Sequence, residues 1–371
     1  MTLPKNSAIE GARAAGRVLA GRSSALIRNE WYVAAFSDEI GRSLLRRTLL
    51  DTPLVLFRSL EGRPIALDNR CPHRSYPLSS GLLDGDSLVC GYHGLRFDLN
   101  GDCIELPAVP KCPRGVGVRS YPLIETGPVC WIWLGKPDLA DPSNIPRLDW
   151  MASEDWTGGG GYYLLQGSYV SLHENLLDTS HLSFLHARTI GSPDYVKAPT
   201  RIEINGGRFA LNRLVCPTRL PSAMGTLTGF HDRGDIARAV RNEFISPGLY
   251  EATTRLYDPH ADETTRPEYT IRAAHMPSPE TQTSTHYFIR VARNFAQSDG
   301  QSVAAMVSNL MTAFEEDVVA LALQEQMQQQ AGGDLFELSF PSDELTVVMR
   351  RYLKSRIDAE RVDPGVNPAQ V

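Results

Sequence analysis

Two short segments carry residues whose types and spacing suit a metal centre. Cys71-Pro72-His73 is followed, after sixteen intervening residues, by Cys90-Gly91-Tyr92-His93. Each segment offers one thiolate and one imidazole, so two loops can close around one centre. A zinc finger more often draws a cysteine pair from one side and a histidine pair from the other. One Cys and one His per loop suits a [2Fe–2S] cluster in which two thiolates hold one iron and two imidazoles hold the other. Exchanging two anionic thiolates for neutral imidazoles removes negative charge, so such a cluster accepts an electron more readily. Pro72 stiffens the first loop, while Gly91 and Gly94 let the second fold tightly. The competing readings are a zinc knuckle or purely structural Cys and His; the spacing, the Cys/His alternation and the β context oppose them. Cys103, Cys112, Cys130 and Cys216 lack paired spacing and read as buried or inert.

The elements around these segments read as short strands. From Trp31 to about Pro146, apolar runs such as Leu54-Val55-Leu56-Phe57 and Val129-Cys130-Trp131-Ile132-Trp133-Leu134 alternate with breakers such as Glu61-Gly62, Asp84-Gly85 and Asn100-Gly101. That rhythm predicts a small all-β sandwich or barrel. The Pro/Asp-rich stretch Lys136–Pro146 closes it, and Gly158–Gly161 reads as a hinge or turn into a second domain. Tyr169–Arg188 has helical character, strands return over 201–296, and a long helix is predicted from about Val303 to Gln330. Ser342-Asp343-Glu344 makes an N-cap for a last helix to about Glu360, followed by a loose tail. The Ala/Arg/Gly-rich first 24 residues lack the apolar segment of a secretory signal and read as a surface arm or short helix.

Composition bounds the rest. A chain of 371 residues with 42% hydrophobic and 22% charged residues can build a large core. The net charge of −6 argues against a general binder of phosphate backbones, so no nucleic-acid partner is expected. No apolar run approaches the length of a membrane helix, and six cysteines are too few and scattered for a secreted disulfide scaffold. The expected location is cytoplasmic.

Cys71-Pro72-His73-Arg74, Pro77-Leu78, Gly81, Cys90-Gly91-Tyr92-His93-Gly94-Leu95-Arg96-Phe97 and Gly101 together resemble the Rieske domain of the Rieske non-haem iron oxygenases. The resemblance runs from Asn29-Glu30-Trp31-Tyr32-Val33-Ala34 through the long C-terminal helix and leaves out the N-terminal arm. It implies an α+β chain: an arm at 1–26, an all-β Rieske [2Fe–2S] domain at 27–150, and a catalytic domain at 151–371 with an antiparallel sheet covered by helices.

The same resemblance implies a second centre in Glu174–His186. The family places two iron-binding histidines in a D-x-x-H-x-x-x-x-H pattern, which here gives His181 and His186. With a carboxylate, two histidines hold a mononuclear Fe(II) and leave three adjacent positions for oxygen and substrate. On a regular helix those histidines would differ by about 140° in direction, so the helix must bulge or end early for them to converge. Asp178 and His181, three apart, would share a face and a hydrogen bond. The family's equivalent of Asp178 also bridges to a cluster histidine of the neighbouring subunit, here His93, and Asn175 joins Asp178 as a candidate catalytic residue. In Phe314-Glu315-Glu316-Asp317 the resemblance points to Asp317 as the carboxylate, with Glu316 as competitor.

Within the family the chain is most similar to the group of vanillate and dicamba O-demethylase oxygenase components, on stretches such as Leu50-Asp51-Thr52-Pro53-Leu54 and His286-Tyr287-Phe288. Such enzymes hydroxylate a carbon bonded to oxygen or nitrogen, and the product collapses to release an aldehyde. This implies a terminal monooxygenase component performing oxidative O- or N-dealkylation of a substituted aromatic compound with O2; methyl or ring hydroxylation is the alternative, and an electron carrier without catalysis a remote one. Asn242 and His275 match pocket residues of the group and would contact substrate, unless they form a satisfied polar pair in a sheet. A tryptophan of that pocket has no counterpart, Ser308 standing near its place. Without a flavin or nicotinamide motif, electrons must come from a ferredoxin, a flavin-dependent NAD(P)H reductase, or both. A head-to-tail homotrimer is implied as well.

Overall fold

The computed structural model describes residues 6–109, 112, 114–220, 222–331 and 337–362. They form two compact units, one comprising Leu26–Pro146 with Ser278–Thr281, the other the described residues up to Ala25, then Arg147–Pro277 and the chain from Gln282.

After helix α1 (Asn6–Arg17), ten short strands build the first unit. They are β1 (Trp31–Phe36), β2 (Leu45–Leu49), β3 (Thr52–Arg58), β4 (Pro64–Asp68), β5 (Leu82–Asp84), β6 (Ser87–Val89), β7 (Arg96–Phe97), β8 (Cys103–Glu105), β9 (Leu123–Thr126) and β10 (Val129–Trp133). Three small sheets result, ordered β1-β10-β9, β2-β3-β4 and β5-β6-β7-β8. The turns fall at the predicted breakers: Gly62, Gly85 and Gly101 all have positive φ, which glycine adopts without a Cβ clash. Strands buried on both faces explain the continuous rather than alternating apolar runs, since all five residues of β10 are buried. One core cluster gathers Tyr32, Leu54, Leu56 and Ile132. A second gathers Phe57, Leu78, Leu88 and Phe97 around Cys71 and Cys90, and so anchors the cysteine-bearing loops.

The second unit is a seven-stranded antiparallel sheet with helices. Its members are β11 (Thr157–Leu165), α2 (Tyr169–Leu177), β12 (Thr200–Asn205), β13 (Arg208–Thr218), α3 (Ser222–Thr228), β14 (Ile236–Ser246), β15 (Leu249–Tyr257), β16 (Tyr269–Pro279), β17 (Thr285–Arg293), α4 (Gly300–Ala331) and α5 (Glu344–Val362). The strand order is β11-β17-β16-β15-β14-β13-β12.

Gly158–Gly161 is not a hinge. It lies inside β11, paired residue for residue with Ala292 down to Ile289 of β17. Glycine is demanded where the neighbouring strand comes close: a Cβ on Gly158 would lie 1.8 Å from the Val291 carbonyl oxygen, and one on Gly160 would lie 2.2 Å from the Ile289 carbonyl oxygen, while Gly161 faces the side chain of Met311 on α4. Bare backbone thus lets α4 settle directly on β11, where the Tyr163 hydroxyl donates to the Met311 carbonyl at 2.9 Å.

The segment after α1 is held by the second unit. Ala20 N–H donates to the Arg350 carbonyl at 3.0 Å, and Arg22 Nε donates to Ser171 Oγ at 2.8 Å. Of the predicted tail, Arg361 and Val362 continue α5 and the remainder lies outside the described residues. Among the described residues no helix is long and apolar enough to cross a membrane.

Candidate metal centres

The first unit brings its four predicted ligands to two loops of matching construction. Cys71 N–H donates to the Tyr76 carbonyl and Ser75 N–H to the Cys71 carbonyl, both at 2.9 Å; Cys90 N–H donates to the Leu95 carbonyl at 2.8 Å and Gly94 N–H to the Cys90 carbonyl at 3.0 Å. Each loop turns through a left-handed residue at the same place, Ser75 (φ 54°) in one and Gly94 (φ 76°) in the other. The two cysteines are buried and the two histidines exposed, with the imidazole rings of His73 and His93 only 4.4 Å apart. Burial pushes the Cys71 thiol up, and the Cys90 thiol beside it adds to the rise. Two buried sulfurs under two outward imidazoles fit a [2Fe–2S] cluster held at a surface. Cys103 and Cys112, unpaired in sequence spacing, also meet here with sulfurs 3.1 Å apart.

In the second unit, His181, His186 and Asp317 converge, their ligand atoms all within 4.8 Å of one another. The required irregularity is present: α2 ends at Leu177, Asp178 is extended, and His181 sits in a separate 3-10 turn, Ser180–Ser183. Freed from helical geometry, the two imidazoles meet edge to face with ring centres 5.0 Å apart. Asp317 interrupts a buried stripe of α4 formed by Val303, Met306, Ala313, Phe314 and Leu321. Its Oδ1 lies 3.0 Å from His186 Nε2 and 3.4 Å from His181 Nε2, and accepts from the Asn175 amide at 2.9 Å. Burial opposes the Asp317 charge, yet the two histidines hold its carboxyl well below the usual range. Burial also opposes the charged form of His186, but Asp317 and Glu316 outweigh it and raise its pKa.

Comparison with known proteins matches both halves. The Rieske [2Fe-2S] domain family matches residues 30–122 and the vanillate O-demethylase oxygenase C-terminal domain family matches residues 165–359. The chain belongs to the Rieske non-haem iron oxygenases. This oxygenase is 34% identical to the toluene-4-sulfonate monooxygenase system iron-sulfur subunit TsaM1 of Comamonas testosteroni, over 82% of the chain and 89% of the relative. It is 32% identical to the dicamba O-demethylase oxygenase component of Stenotrophomonas maltophilia, over 88% and 97%. A crystal structure of dicamba monooxygenase bound to 3,6-dichlorosalicylic acid superposes with a TM-score of 0.85 at 28% identity, covering 91% of this chain and 99% of that one. The protein is accordingly a terminal oxygenase component and a Rieske-type oxidoreductase.

Two imidazoles and one buried carboxylate are the donor set of a mononuclear Fe(II) site with open positions, and the oxygenase presents them on the wall of a cavity of about 110 Å³. Asn175 and Asp178 line the same cavity, as do Asn242 and His275. Asn242 Nδ2 reaches the Leu176 carbonyl at 3.4 Å. His275 Nδ1 and the Tyr287 hydroxyl share a hydrogen bond of 2.5 Å, and burial lowers the His275 pKa to about 4, so the ring is neutral at pH 7. Ser308 is not among the lining residues; Leu310 and Phe314 supply the wall from α4.

One expected contact is not made. The Asp178 carboxylate accepts from Ser180 N–H at 2.7 Å, and among the described residues no hydrogen bond joins it to His181. Because α2 stops at Leu177, the shared helical face that would have aligned those two side chains does not exist.

Glu316, the competitor to Asp317, meets His186 from the other side of the ring. Its Oε2 bonds His186 Nδ1 at 2.7 Å, opposite the nitrogen that faces Asp317, and accepts from Thr189 Oγ1 at 2.9 Å. A carboxylate on the far nitrogen fixes ring orientation and tautomer. His173 is buried, with its Nε2 3.1 Å from the Pro247 carbonyl oxygen.

Proposed function

We propose that this oxygenase catalyses oxidative O- or N-dealkylation of a substituted aromatic compound, using O2 and electrons delivered by a ferredoxin, a flavin-dependent NAD(P)H reductase, or both. The observation that carries the reading is the convergence of His181, His186 and Asp317 on a cavity that also presents Asn242 and His275. Cys71, His73, Cys90 and His93 would hold the cluster, and His181, His186 and Asp317 the iron. When bound, the cluster supplies single electrons and the iron activates dioxygen.

The chain's own residues do the positioning. Glu316 accepts the His186 Nδ1 proton, so Nε2 is left to face the cavity. The Asn175 amide holds one oxygen of Asp317, which limits that carboxylate's freedom to swing. Tyr287 orients His275, and Asn242 and neutral His275 together offer substrate hydrogen bonds without a charge of their own. Leu182, Ile190, Val240, Ile271 and Phe314 give the cavity an apolar lining that seats an aromatic ring and excludes water. Asp178 would link to His93 of a neighbouring subunit in a head-to-tail homotrimer. We assign 1–26 to an arm, 27–150 to the cluster domain and 151–371 to the catalytic domain, in a cytoplasmic protein.

The test is oxygen uptake by the reconstituted enzyme with a surrogate reductase across methoxybenzoates and N-alkoxyalkyl anilides. Dealkylation predicts aldehyde released in step with oxygen consumed. Hydroxylation of a methyl group, the second reading, is favoured by the likeness to a toluene-4-sulfonate monooxygenase subunit; it predicts an alcohol and no aldehyde from a methylated substrate. Absence of substrate-dependent uptake throughout the screen would remove both.

A further inference from the structure

The cavity floor is one face of three neighbouring strands, and its polarity is uneven. Along β14, the alternate residues Arg238, Val240 and Asn242 all line the cavity, as the two-residue period of a strand requires. Cross-strand pairing sets Asn242 beside Ala252 and Ala273, then Val240 beside Thr254 and Ile271. The floor therefore reads as a polar end at Asn242 and His275, an apolar middle, and a cationic end at Arg238. Four residues along a strand separate the Asn242 and Arg238 backbones by roughly 13 Å, room for an aromatic ring between the two side chains.

Among the described residues, Arg238 is the single one lining the cavity with a permanent positive charge. Its guanidinium lies 4.8 Å from the centre of the Tyr195 ring, and Nη1 donates to the Ile190 carbonyl at 2.9 Å. Its Nε is buried without an acceptor, and no carboxylate pairs with it among the described residues. Two other arginines of the sheet have acids, Arg241 pairing with Glu203 at 2.6 Å and Arg272 with Glu251 at 3.5 Å; Arg213, which has no such pair, donates to the Tyr195 carbonyl and does not line the cavity. The two acids of the cavity are engaged elsewhere, Asp317 with the histidine pair and Asp178 with Ser180 N–H. A half-buried guanidinium with spare donors and no counter-charge is costly unless an anion completes it.

We propose that Arg238 binds the anionic group of the substrate, a carboxylate or sulfonate on the aromatic ring. This deepens the function proposed above and rests on it. The acid group then lies at the Arg238 end, the ring over Val240, Thr254 and Ile271, and the group to be oxidised at the end near Asn242 and His275. That end adjoins the metal ligands: the His275 ring packs edge-on against Phe314 at 4.9 Å, three residues before Asp317 on α4.

The test is calorimetric binding to the holoenzyme of benzoate and benzenesulfonate as anionic probes and benzamide as the neutral one. Wild type should bind at least one anion about tenfold more tightly than benzamide, since charge-assisted bonds to a partly desolvated guanidinium exceed neutral ones. Arg238→Gln should erase that preference while changing benzamide binding less than about twofold. Arg238→Lys, which keeps the charge but not the fork, should retain a preference with weaker affinity, and it decides the matter if the glutamine variant does not fold. Equal losses for charged and neutral probes would make Arg238 merely structural and overturn the proposal. So would an unchanged preference in Arg238→Gln, or no binding of either anion by wild type at millimolar concentration. Binding needs no turnover, so loss of the anion preference with intact oxygen uptake, or the converse, tells this inference apart from the proposed function.

Discussion

The two candidate metal centres are built in opposite ways. The cluster loops are local: each cysteine and histidine pair spans at most four residues, and each loop closes on itself through two backbone hydrogen bonds. Their histidines stand in solvent, which suits a centre that passes single electrons to and from other proteins. The His181–His186–Asp317 group is non-local, joined across more than a hundred residues of chain, and two of its three members are almost wholly buried. It is assembled only when α4 lies on β11 and α2 breaks at Asp178. Local loops make a metal signature; a catalytic pocket needs the whole sheet.

That contrast implies that each centre is removable alone. His186→Ala should abolish turnover while leaving the visible absorption of the cluster intact, and Cys71→Ser should do the reverse to the spectrum while the iron site still takes one iron. Oxygen uptake, absorption spectra and metal analysis of both variants check this; loss of both centres in either variant would break the distinction.

The buried side of the contrast also predicts a pH effect. Burial lowers the His173 pKa to about 4, below an unfolded value near 6.5. Above pH 6.5 both states are neutral and His173 contributes no pH dependence. As pH falls, the unfolded chain takes up a proton that the folded one refuses, so stability declines, by about 3 kcal/mol near pH 4. Urea unfolding of the second unit at pH 7 and pH 5 should show the slope, and His173→Asn should flatten it. An unchanged slope in the variant would show that other groups carry it.

Smaller still is the effect expected at Glu316. Glu316→Gln removes the charge behind His186 without touching the cavity face, and should weaken iron retention about 10- to 100-fold. Metal competition with a chelator measures it. Retention equal to wild type would show that ring orientation is set by packing alone.

How much of this was legible in the sequence follows the same division. Cys71, His73, Cys90 and His93 stand out because thiolates and imidazoles at loop spacing have few other uses, and the β rhythm around them survives in the strands. That the helix must bulge or end early was legible too, because histidines five apart cannot meet on an intact helix; its end at Leu177, before Asp178, was not. Gly158–Gly161 misled: four glycines look like a hinge until the backbone of Ile289 and Val291, far along the chain, shows that side chains at Gly158 and Gly160 would not fit. Glu316 and Arg238 were invisible for a related reason. A charge on a helix or strand reads as solvated until tertiary structure shows what it faces, His186 in one case and an aromatic-sized cavity in the other.

One polypeptide carries the ligands of a cluster and of a separate mononuclear site. Iron and acid-labile sulfide determined on the fully loaded enzyme tests it most directly. Two irons and two sulfides are expected for the cluster plus one iron for His181, His186 and Asp317, the last lost in His186→Ala without loss of sulfide. Two irons per chain in the loaded wild type, unchanged by that substitution, would contradict it.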